Sequence, residues 1–237
     1  MYMNMAESMK LRIYSVECLK MMKRNHTYAE LSQMLDLPIT VLNRYIMGKV
    51  LPNEERARMF VSEFRTRYSL KEEIKKRIKC DTEGYFDNSP ILCDTLLLRE
   101  IAEQVAEHFP QTEKVLTSET DGIPVACAIA ARFGVDAVYA RKNKEVGITD
   151  YIEETYIPSS SGNLMSLYLP KNVIQKNEKV LIADDVLRSG ETQKALIKLA
   201  EKSGAFIYGL FVIISIGDAG LSVGENFYSL VHLKSSP

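Results

Sequence analysis

Two adjacent acids follow an apolar run in the stretch Lys179–Thr192, and their setting suggests an anion-binding site. The run ends at Asp184 and Asp185, a short turn containing Gly190 follows, and residues 193–202 have the pattern of a helix. A strand, loop and helix in this order aim backbone N–H groups and a helix N-terminus at an anion. The two carboxylates could accept hydrogen bonds from vicinal hydroxyls or hold a divalent cation. A phosphate and a diol at this spacing describe a ribose 5-phosphate.

This stretch resembles the signature of the type I phosphoribosyltransferases: an apolar strand, two acids, two apolar residues, two small residues and Gly-x-Thr. The resemblance implies a site for ribose 5-phosphate made of Asp184, Asp185, Val186, Leu187, Arg188, Ser189, Gly190, Glu191 and Thr192. Arg188 departs from the signature, because the family usually has a small or acidic residue at that place. The alternative is an ordinary strand–helix turn whose acids only cap the helix.

The composition is that of a folded protein whose two parts carry opposite charge. Hydrophobic residues make up 46% and charged residues 26% of the 237 residues, which argues against disorder. Apolar runs fall short of the ~20 residues of a membrane span, and the four cysteines lie far apart. We therefore expect a cytoplasmic protein with reduced thiols and no membrane association.

Residues 1–79 contain 16 Lys/Arg and 9 Asp/Glu, whereas residues 80–237 contain 14 and 22. A basic front segment joined to an acidic body indicates that only the front meets a polyanion. A solvated basic face is the alternative.

The front segment has the pattern of a small helical domain that ends in a connecting helix, residues 65–79. Thr27 predicts a capping box before a helix over residues 28–35, and a second helix, 39–47, is expected to end at Gly48. The pair resembles a helix-turn-helix. Base edges and phosphates would then be contacted by Thr40, Asn43, Arg44 and Lys49. A helical bundle without DNA contacts is the alternative.

The body, residues 80–237, alternates strand and helix patterns, which argues for a parallel sheet with right-handed crossovers. A helix-breaking stretch, 81–90, places the domain boundary just before it. The predicted fold class is therefore α/β: a type I phosphoribosyltransferase fold, with a parallel sheet flanked by helices, preceded by a small all-α helix-turn-helix domain.

A second loop of the body matches the pyrophosphate loop of the family in its position in the fold and in its residue types. The resemblance implies that a diphosphate is contacted by Glu119, Thr120, Asp121 and Gly122. Three basic residues after the next strand could meet the same diphosphate, namely Arg141, Lys142 and Lys144. A plain strand–helix loop and a surface charge cluster are the alternatives.

The polar segment 147–170 corresponds to a mobile hairpin that closes over the substrate in these enzymes. It includes Ser159, Ser160 and Ser161. An ordinary exposed hairpin is the competing interpretation.

Taken in order, these features resemble the branch that contains xanthine phosphoribosyltransferases and purine-operon repressors. The layout is also similar to archaeal regulators in which a helix-turn-helix precedes an orotate-phosphoribosyltransferase-like domain. The resemblance implies phosphoribosyl pyrophosphate (PRPP) or a purine nucleotide as ligand, with Mg²⁺ held through the ligand and not directly by the protein.

Arg188 favours sensing over catalysis, because a guanidinium stays protonated and cannot accept a proton from the base. The first hypothesis is a homodimeric transcription regulator that binds double-stranded DNA and senses this ligand. The alternative is an active purine or orotate phosphoribosyltransferase whose front helices serve oligomerisation. A nucleotide-binding module with no DNA role is a third hypothesis.

Overall fold

The computed structural model describes residues 4–80, 86–157, 162–222, 224 and 226–234. The chain forms two compact units, Met1–Ser69 and Leu70–Pro237. Within the described ranges, no helix combines the length and the hydropathy that crossing a membrane requires. We describe the two units separately.

The first unit is helical, as the sequence predicted. Its helices are α1 (Met5–Asn25), α2 (Tyr28–Leu35), α3 (Ile39–Ile46) and α4 (Glu54–Arg67). The expected capping box opens α2: the Thr27 hydroxyl accepts from the backbone N–H of Glu30, whose carboxylate accepts from the Thr27 N–H. Asp36 ends this helix in the left-handed conformation, at φ 48° and ψ 48°, which turns the chain sharply toward α3.

Leucine and aromatic side chains pack α2, α3 and α4 together. Leu31 and Leu42 are fully buried, and Tyr45 packs edge-on against Phe60 of α4 with ring centroids 5.7 Å apart. The Ser32 hydroxyl donates to the Leu37 carbonyl over 2.6 Å and so closes the turn between the helices. This packing leaves the opposite side of α3 exposed.

The second unit has a parallel sheet flanked by helices, which confirms the predicted fold class of this part. Its described helices are α5 (Leu70–Arg77), α6 (Ser89–Leu92), α7 (Thr95–His108), α8 (Gly122–Phe133), α9 (Glu191–Lys202) and a short 3₁₀ helix (Gly217–Ser222). Its described strands are β1 (Lys79–Cys80), β2 (Phe86–Asp87), β3 (Lys114–Ser118), β4 (Asp136–Ala140), β5 (Tyr151–Tyr156), β6 (Met165–Pro170), β7 (Lys179–Leu187), β8 (Phe206–Ile216) and β9 (Phe227–Leu233).

The main sheet has the strand order β4-β3-β7-β8-β9, and all its pairings are parallel. β3 lies beside β7, with Leu116 opposite Ile182, so both strands end at the same edge of the sheet. β5 and β6 form an antiparallel hairpin, and Tyr168 of β6 is joined to Arg141 by two backbone hydrogen bonds of 2.8 Å. The hairpin therefore lies near the carboxyl end of β4, at the end of the sheet where ligands bind in such folds.

The expected connecting helix over residues 65–79 is not continuous. α4 ends at Arg67, Tyr68 is extended at φ −104° and ψ 123°, and a separate helix, α5, follows. The compact second unit begins at Leu70, ten residues before the boundary expected from the composition. Arg77 of α5 accounts for this, because its guanidinium contacts Asp94 at 2.7 Å and donates to the Pro90 carbonyl over 3.0 Å, and both partners lie in the second unit.

Candidate functional site

A pocket of about 410 Å³ opens at the carboxyl ends of β3 and β7. That volume suits a small ligand. The polar side chains and loops come from the strand ends and helix starts, while one apolar wall comes from the hairpin. The lining residues are Ser118, Glu119, Thr120, Asp121, Gly122, Lys142, Tyr156, Met165, Leu167, Asp184, Asp185, Val186, Arg188, Ser189, Gly190, Glu191, Thr192 and Gln193.

The loop after β7 is shaped to expose backbone N–H groups. Gly190 has φ 85°, a left-handed conformation that side chains disfavour, and α9 starts at the next residue. Ser189 is exposed, whereas Leu187 is buried in the core beneath the loop and is absent from the pocket wall among the described residues. A turn followed directly by the start of a helix is the arrangement that favours an anion at a helix N-terminus.

Each of the two acids near the carboxyl end of β7 accepts a hydrogen bond from a side-chain amide. Gln193 Nε2 donates to Asp184 Oδ2 over 2.8 Å, and Asn88 Nδ2 donates to Asp185 Oδ2 over 2.7 Å. Burial, reinforced by the charge of Asp185, raises the pKa of Asp184 well above its usual range. Burial also raises the pKa of Asp185, though hydrogen bonds from Val186 and Asn88 oppose that change. Asp184 is the more deeply buried of the two.

The loop after β3 packs closely against the acids. Gly122 starts α8, and a Cβ atom there would lie 2.0 Å from Thr117 Oγ1 and 2.5 Å from Asp184 Oδ1. Glu119 Oε1 accepts from the backbone N–H of Lys142 over 2.6 Å, which ties this loop to the end of β4. The N-terminus of α8 and the N-terminus of α9 thus face one pocket.

Of the three basic residues expected at the diphosphate, the structure brings only Lys142 into the described pocket wall. Arg141 instead pairs with Glu145 and donates to the Tyr139 hydroxyl over 2.9 Å. Lys144 lies 3.5 Å from Glu153 and 4.8 Å above the Tyr168 ring. Both cations are drawn away by local carboxylates and aromatic rings that the charge run alone does not reveal.

The hairpin contributes the apolar wall through Tyr156, Met165 and Leu167. Glu154 on the same hairpin pairs with Lys198 at 3.0 Å and Lys202 at 2.6 Å, which attaches β5 to α9. Ser159, Ser160 and Ser161, expected in the mobile segment, lie outside the described residues.

Several site residues were missed from the sequence: Ser118, Tyr156, Met165, Leu167, Gln193 and Asn88. Gln193 carried a detectable signal, because it occupies the same helix face as the buried Leu196 and Ala200. A polar residue on a buried face needs a hydrogen-bond partner. Asn88 carried no comparable signal, since its partner is 97 residues away in the chain.

In the first unit, the residues expected to contact DNA share an exposed surface at α3: Thr40, Asn43, Arg44 and Lys49. The Tyr28 hydroxyl donates to Asn43 Oδ1 over 3.1 Å, which links α2 to this surface. Residues 1–69 contain 11 Lys/Arg and 7 Asp/Glu, so the unit carries a net charge of about +4. The surface is therefore polar and basic.

Comparison with known proteins agrees with the geometry of the pocket. The sequence profile of the phosphoribosyl transferase domain matches residues 90–231. A xanthine phosphoribosyltransferase of Clostridium tetani is 35% identical over 125 residues, which are 51% of this chain and 66% of that protein. The chain thus spans just under two thirds of that relative. The Bacillus mycoides xanthine phosphoribosyltransferase is 34% identical over 138 residues, 56% of this chain and 70% of that protein.

Solved structures share the fold. Adenine phosphoribosyltransferase from Thermoanaerobacter pseudethanolicus superposes with a TM-score of 0.62 at 24% identity, covering 69% of this chain and 99% of that one. The Giardia lamblia enzyme, complexed with 9-deazaadenine, gives a TM-score of 0.62 at 22% identity, covering 68% and 97%. Because the family profile matches more than half of the residues of this chain, the chain belongs to the phosphoribosyl transferase domain family.

Proposed function

We propose that the protein transfers the phosphoribosyl group of PRPP to a purine base, with a xanthine-like base as the preferred acceptor. One observation carries the proposal: the loop after β3 and the loop after β7, each starting a helix, line the same pocket with two acids between them. That arrangement offers separate places for a diphosphate, a ribose and a 5-phosphate. The names of the sequence relatives support a purine base, and xanthine in particular.

In this proposal the backbone N–H groups of Ser189–Thr192 bind the 5-phosphate at the start of α9. The diphosphate lies on the backbone of Thr120–Gly122 at the start of α8, with Lys142 as its cation. Tyr156 and Leu167 provide an apolar surface for the flat base and exclude water beside it. The expected diphosphate roles of Arg141 and Lys144 are not part of the proposal.

The reaction forms a bond between a base nitrogen and C1 of the ribose while the bond from C1 to the diphosphate oxygen breaks. The pocket's carboxylates, among them Asp121 and Asp185, suit the water shell of a Mg²⁺ that arrives bound to PRPP. Such an ion neutralises charge on the leaving diphosphate. Arg188 cannot remove the base proton, so it favours an acidic base that arrives as its anion.

The test is turnover with PRPP, Mg²⁺ and one base at a time: xanthine, hypoxanthine, guanine, adenine or orotate. Nucleotide formation is followed by chromatography. We expect turnover with purines and the highest kcat/KM with xanthine. Binding of PRPP without any turnover would contradict the proposed transfer and would favour a protein that only senses PRPP.

A second candidate function is ligand-responsive DNA binding. It is favoured by the exposed set Thr40, Asn43, Arg44 and Lys49 on a helix that follows a tight turn in a unit of net charge about +4. In this function residues 1–69 bind double-stranded DNA, and a homodimer presents two such units to a palindromic site. PRPP or a purine nucleotide then changes the affinity of the protein for DNA. An oligomerisation role for these helices is the competing view.

DNA capture from the source genome, with and without PRPP, tests this second function. Arg44→Ala should weaken specific binding by about tenfold or more while the PRPP affinity stays unchanged. Lys20→Ala, an exposed basic residue on α1, serves as the control for charge alone. Equal DNA affinity of the Arg44 variant and the parent, or binding that does not depend on salt, counts against DNA recognition.

A further inference from the structure

The loop proposed to bind the 5-phosphate contains an acid. Glu191 is the first residue of α9, directly after Gly190, and it belongs to the pocket wall. A carboxylate suits the N-terminus of a helix, because its charge complements the helix dipole. The same position is unfavourable once a phosphate binds to the backbone N–H groups of this loop, since two anions then lie side by side.

The Glu191 side chain also has a buried oxygen without a hydrogen bond. Its Oε2 atom is shielded from water, and no donor contacts it among the described residues. A buried acceptor without a donor is rare in folded proteins and points to a donor that arrives with a ligand or a water molecule. Because the last side-chain torsion of a glutamate is soft, a small turn of the carboxylate brings an oxygen to a ligand in the pocket.

The wall around Glu191 is acidic. Its other charged groups are the acids Glu119, Asp121, Asp184 and Asp185 and the cations Lys142 and Arg188. Tyr156 of the hairpin is also titratable, and the exposed Lys194 follows Glu191 by three residues in α9. The acids of the described wall outnumber its cations even when the two aspartates of β7, whose pKa is raised by burial, are counted as neutral. A phosphate with two negative charges is therefore poorly matched to this wall.

A proton on the phosphate removes the conflict at Glu191. A phosphate monoester loses its second proton with a pKa of about 6, so the singly and doubly charged forms are both present near neutral pH. The singly charged form has a P–O–H group, which is the kind of donor that Glu191 Oε2 lacks. The doubly charged form has only acceptors, and two acceptors cannot form a hydrogen bond with each other.

We propose that Glu191 selects the singly charged form of the 5-phosphate by accepting a hydrogen bond from its P–O–H group. The backbone N–H groups of the loop bind the other phosphate oxygens. Above pH 6 the proton comes from solvent when the ligand binds, so the affinity for PRPP and for ribose 5-phosphate falls as pH rises. This inference rests on the proposed function, because it requires a 5-phosphate at the start of α9.

Calorimetric titration with two probes at pH 6, 7 and 8 and constant ionic strength tests the proposal. The probes are ribose 5-phosphate and ribose 5-sulfate, whose sulfate is singly charged but has no proton to donate. The ratio of the two affinities is the readout, because titration of the wall acids affects both anions. For the parent we expect the ratio to favour the phosphate about tenfold at pH 6 and to fall at least tenfold by pH 8.

Glu191→Gln tests the role of the side chain without changing its size. The Gln amide can donate to a doubly charged phosphate or to a sulfate, so the ratio should stay constant or rise about twofold between pH 6 and 8. Glu201→Gln is the matched control, because Glu201 is an exposed acid of α9 outside the described pocket wall, and its ratio should follow that of the parent.

Proton uptake gives a second readout that needs no variant. Titrations at pH 8 in two buffers of different ionisation enthalpy should show about one more proton taken up with ribose 5-phosphate than with ribose 5-sulfate. If the parent binds neither probe nor PRPP, the proposed function and this inference are both overturned. If ribose 5-phosphate binds with a ratio that does not depend on pH, or if Glu191→Gln keeps the parental fall in the ratio, only this inference is overturned.

Discussion

Gly122 and Asp184 lie so close that no side chain fits between them. A Cβ atom on Gly122 would stand 2.5 Å from Asp184 Oδ1 and 2.0 Å from Thr117 Oγ1, both on the buried strands beneath the pocket. The absent side chain lets the start of α8 approach the acid at the end of β7, so the two anion loops open into one pocket.

Gly122→Ala should therefore displace α8 or the Asp184 carboxylate. We expect a loss of about 1–3 kcal/mol in the free energy of unfolding, typical of overpacking, and a loss of PRPP affinity of tenfold or more. Denaturant unfolding and calorimetric titration with PRPP measure the two effects. Gly134→Ala is the control, because Gly134 has φ 73° with open space around it, so it should lose stability by backbone strain and leave PRPP affinity unchanged. Normal PRPP binding by Gly122→Ala would contradict the close-approach argument.

The sequence predicted those structural features whose signal is local. Thr27, the helix starts and the loop after β7 depend on residues within a few positions of one another, and periodicity and capping chemistry describe such patterns well. The parallel pairs β3–β4 and β7–β8, each joined through one helix, are what the alternation of strand and helix patterns predicted.

What the sequence did not predict depends on contacts between distant segments. Asn88 meets Asp185 across 97 residues, and the apolar wall comes from a hairpin whose residues look like any half-buried strand. Arg141 is a different case, because its partners are local: Tyr139 and Glu145, two and four residues away, contact the side chain that was assigned to the diphosphate on charge alone. Spacing along the chain contains no information on which of several available partners a long side chain takes.

The buried acids make stability depend on pH. Burial raises the pKa of Asp184 well above its usual range, so at pH values between the unfolded and the native pKa the native state binds a proton that the unfolded state releases. Because the native state binds more protons, the free energy of unfolding falls as pH rises from about 4 through the raised pKa. The raised pKa of Asp185 acts in the same direction.

Asp184→Asn should remove this contribution and flatten the decline of stability between pH 4 and 8. Urea unfolding at several pH values measures it. Asp150→Asn is the control, because the Asp150 side chain is 71% exposed and should leave the pH profile as it is in the parent. If the Asp184 variant shows the same dependence of stability on pH as the parent, the decline in stability is due to other groups.

Arg77 should contribute more to stability than other ion-pairing arginines of this unit. Its guanidinium joins Glu73 and Asp94 at 2.7 Å, and these side chains are 13–20% exposed. Arg77→Leu would leave two carboxylates near one another without their cation. We expect a loss of about 2 kcal/mol, less than the ~3–5 kcal/mol of a fully buried pair because some water reaches the group.

Thermal unfolding measures this loss as a fall of roughly 4–8 °C in Tm of the second unit. Arg132→Leu is the matched control, since Arg132 pairs with Glu103 at 2.6 Å but is 41% exposed, and it should change stability by under ~1 kcal/mol. Equal shifts in both variants would show that burial does not distinguish these pairs.

Arg188 should determine which base is accepted. It lines the pocket between the acids and the phosphate loop, where the family usually has a small or acidic residue. A fixed cation there stabilises a base that enters as its anion, and xanthine is more acidic than adenine. Arg188→Ala should therefore lower kcat/KM for xanthine about tenfold at neutral pH while changing that for adenine by less than threefold.

The Arg188 effect should also depend on pH. Raising the pH increases the fraction of xanthine that is already anionic in solution, so Arg188→Ala should regain part of its lost kcat/KM as pH increases from 6 to 9. Lys142→Ala, which removes the cation of the other loop, should instead weaken PRPP binding for every base alike. A uniform loss with all bases in Arg188→Ala would make Arg188 a diphosphate contact and remove it from base selection.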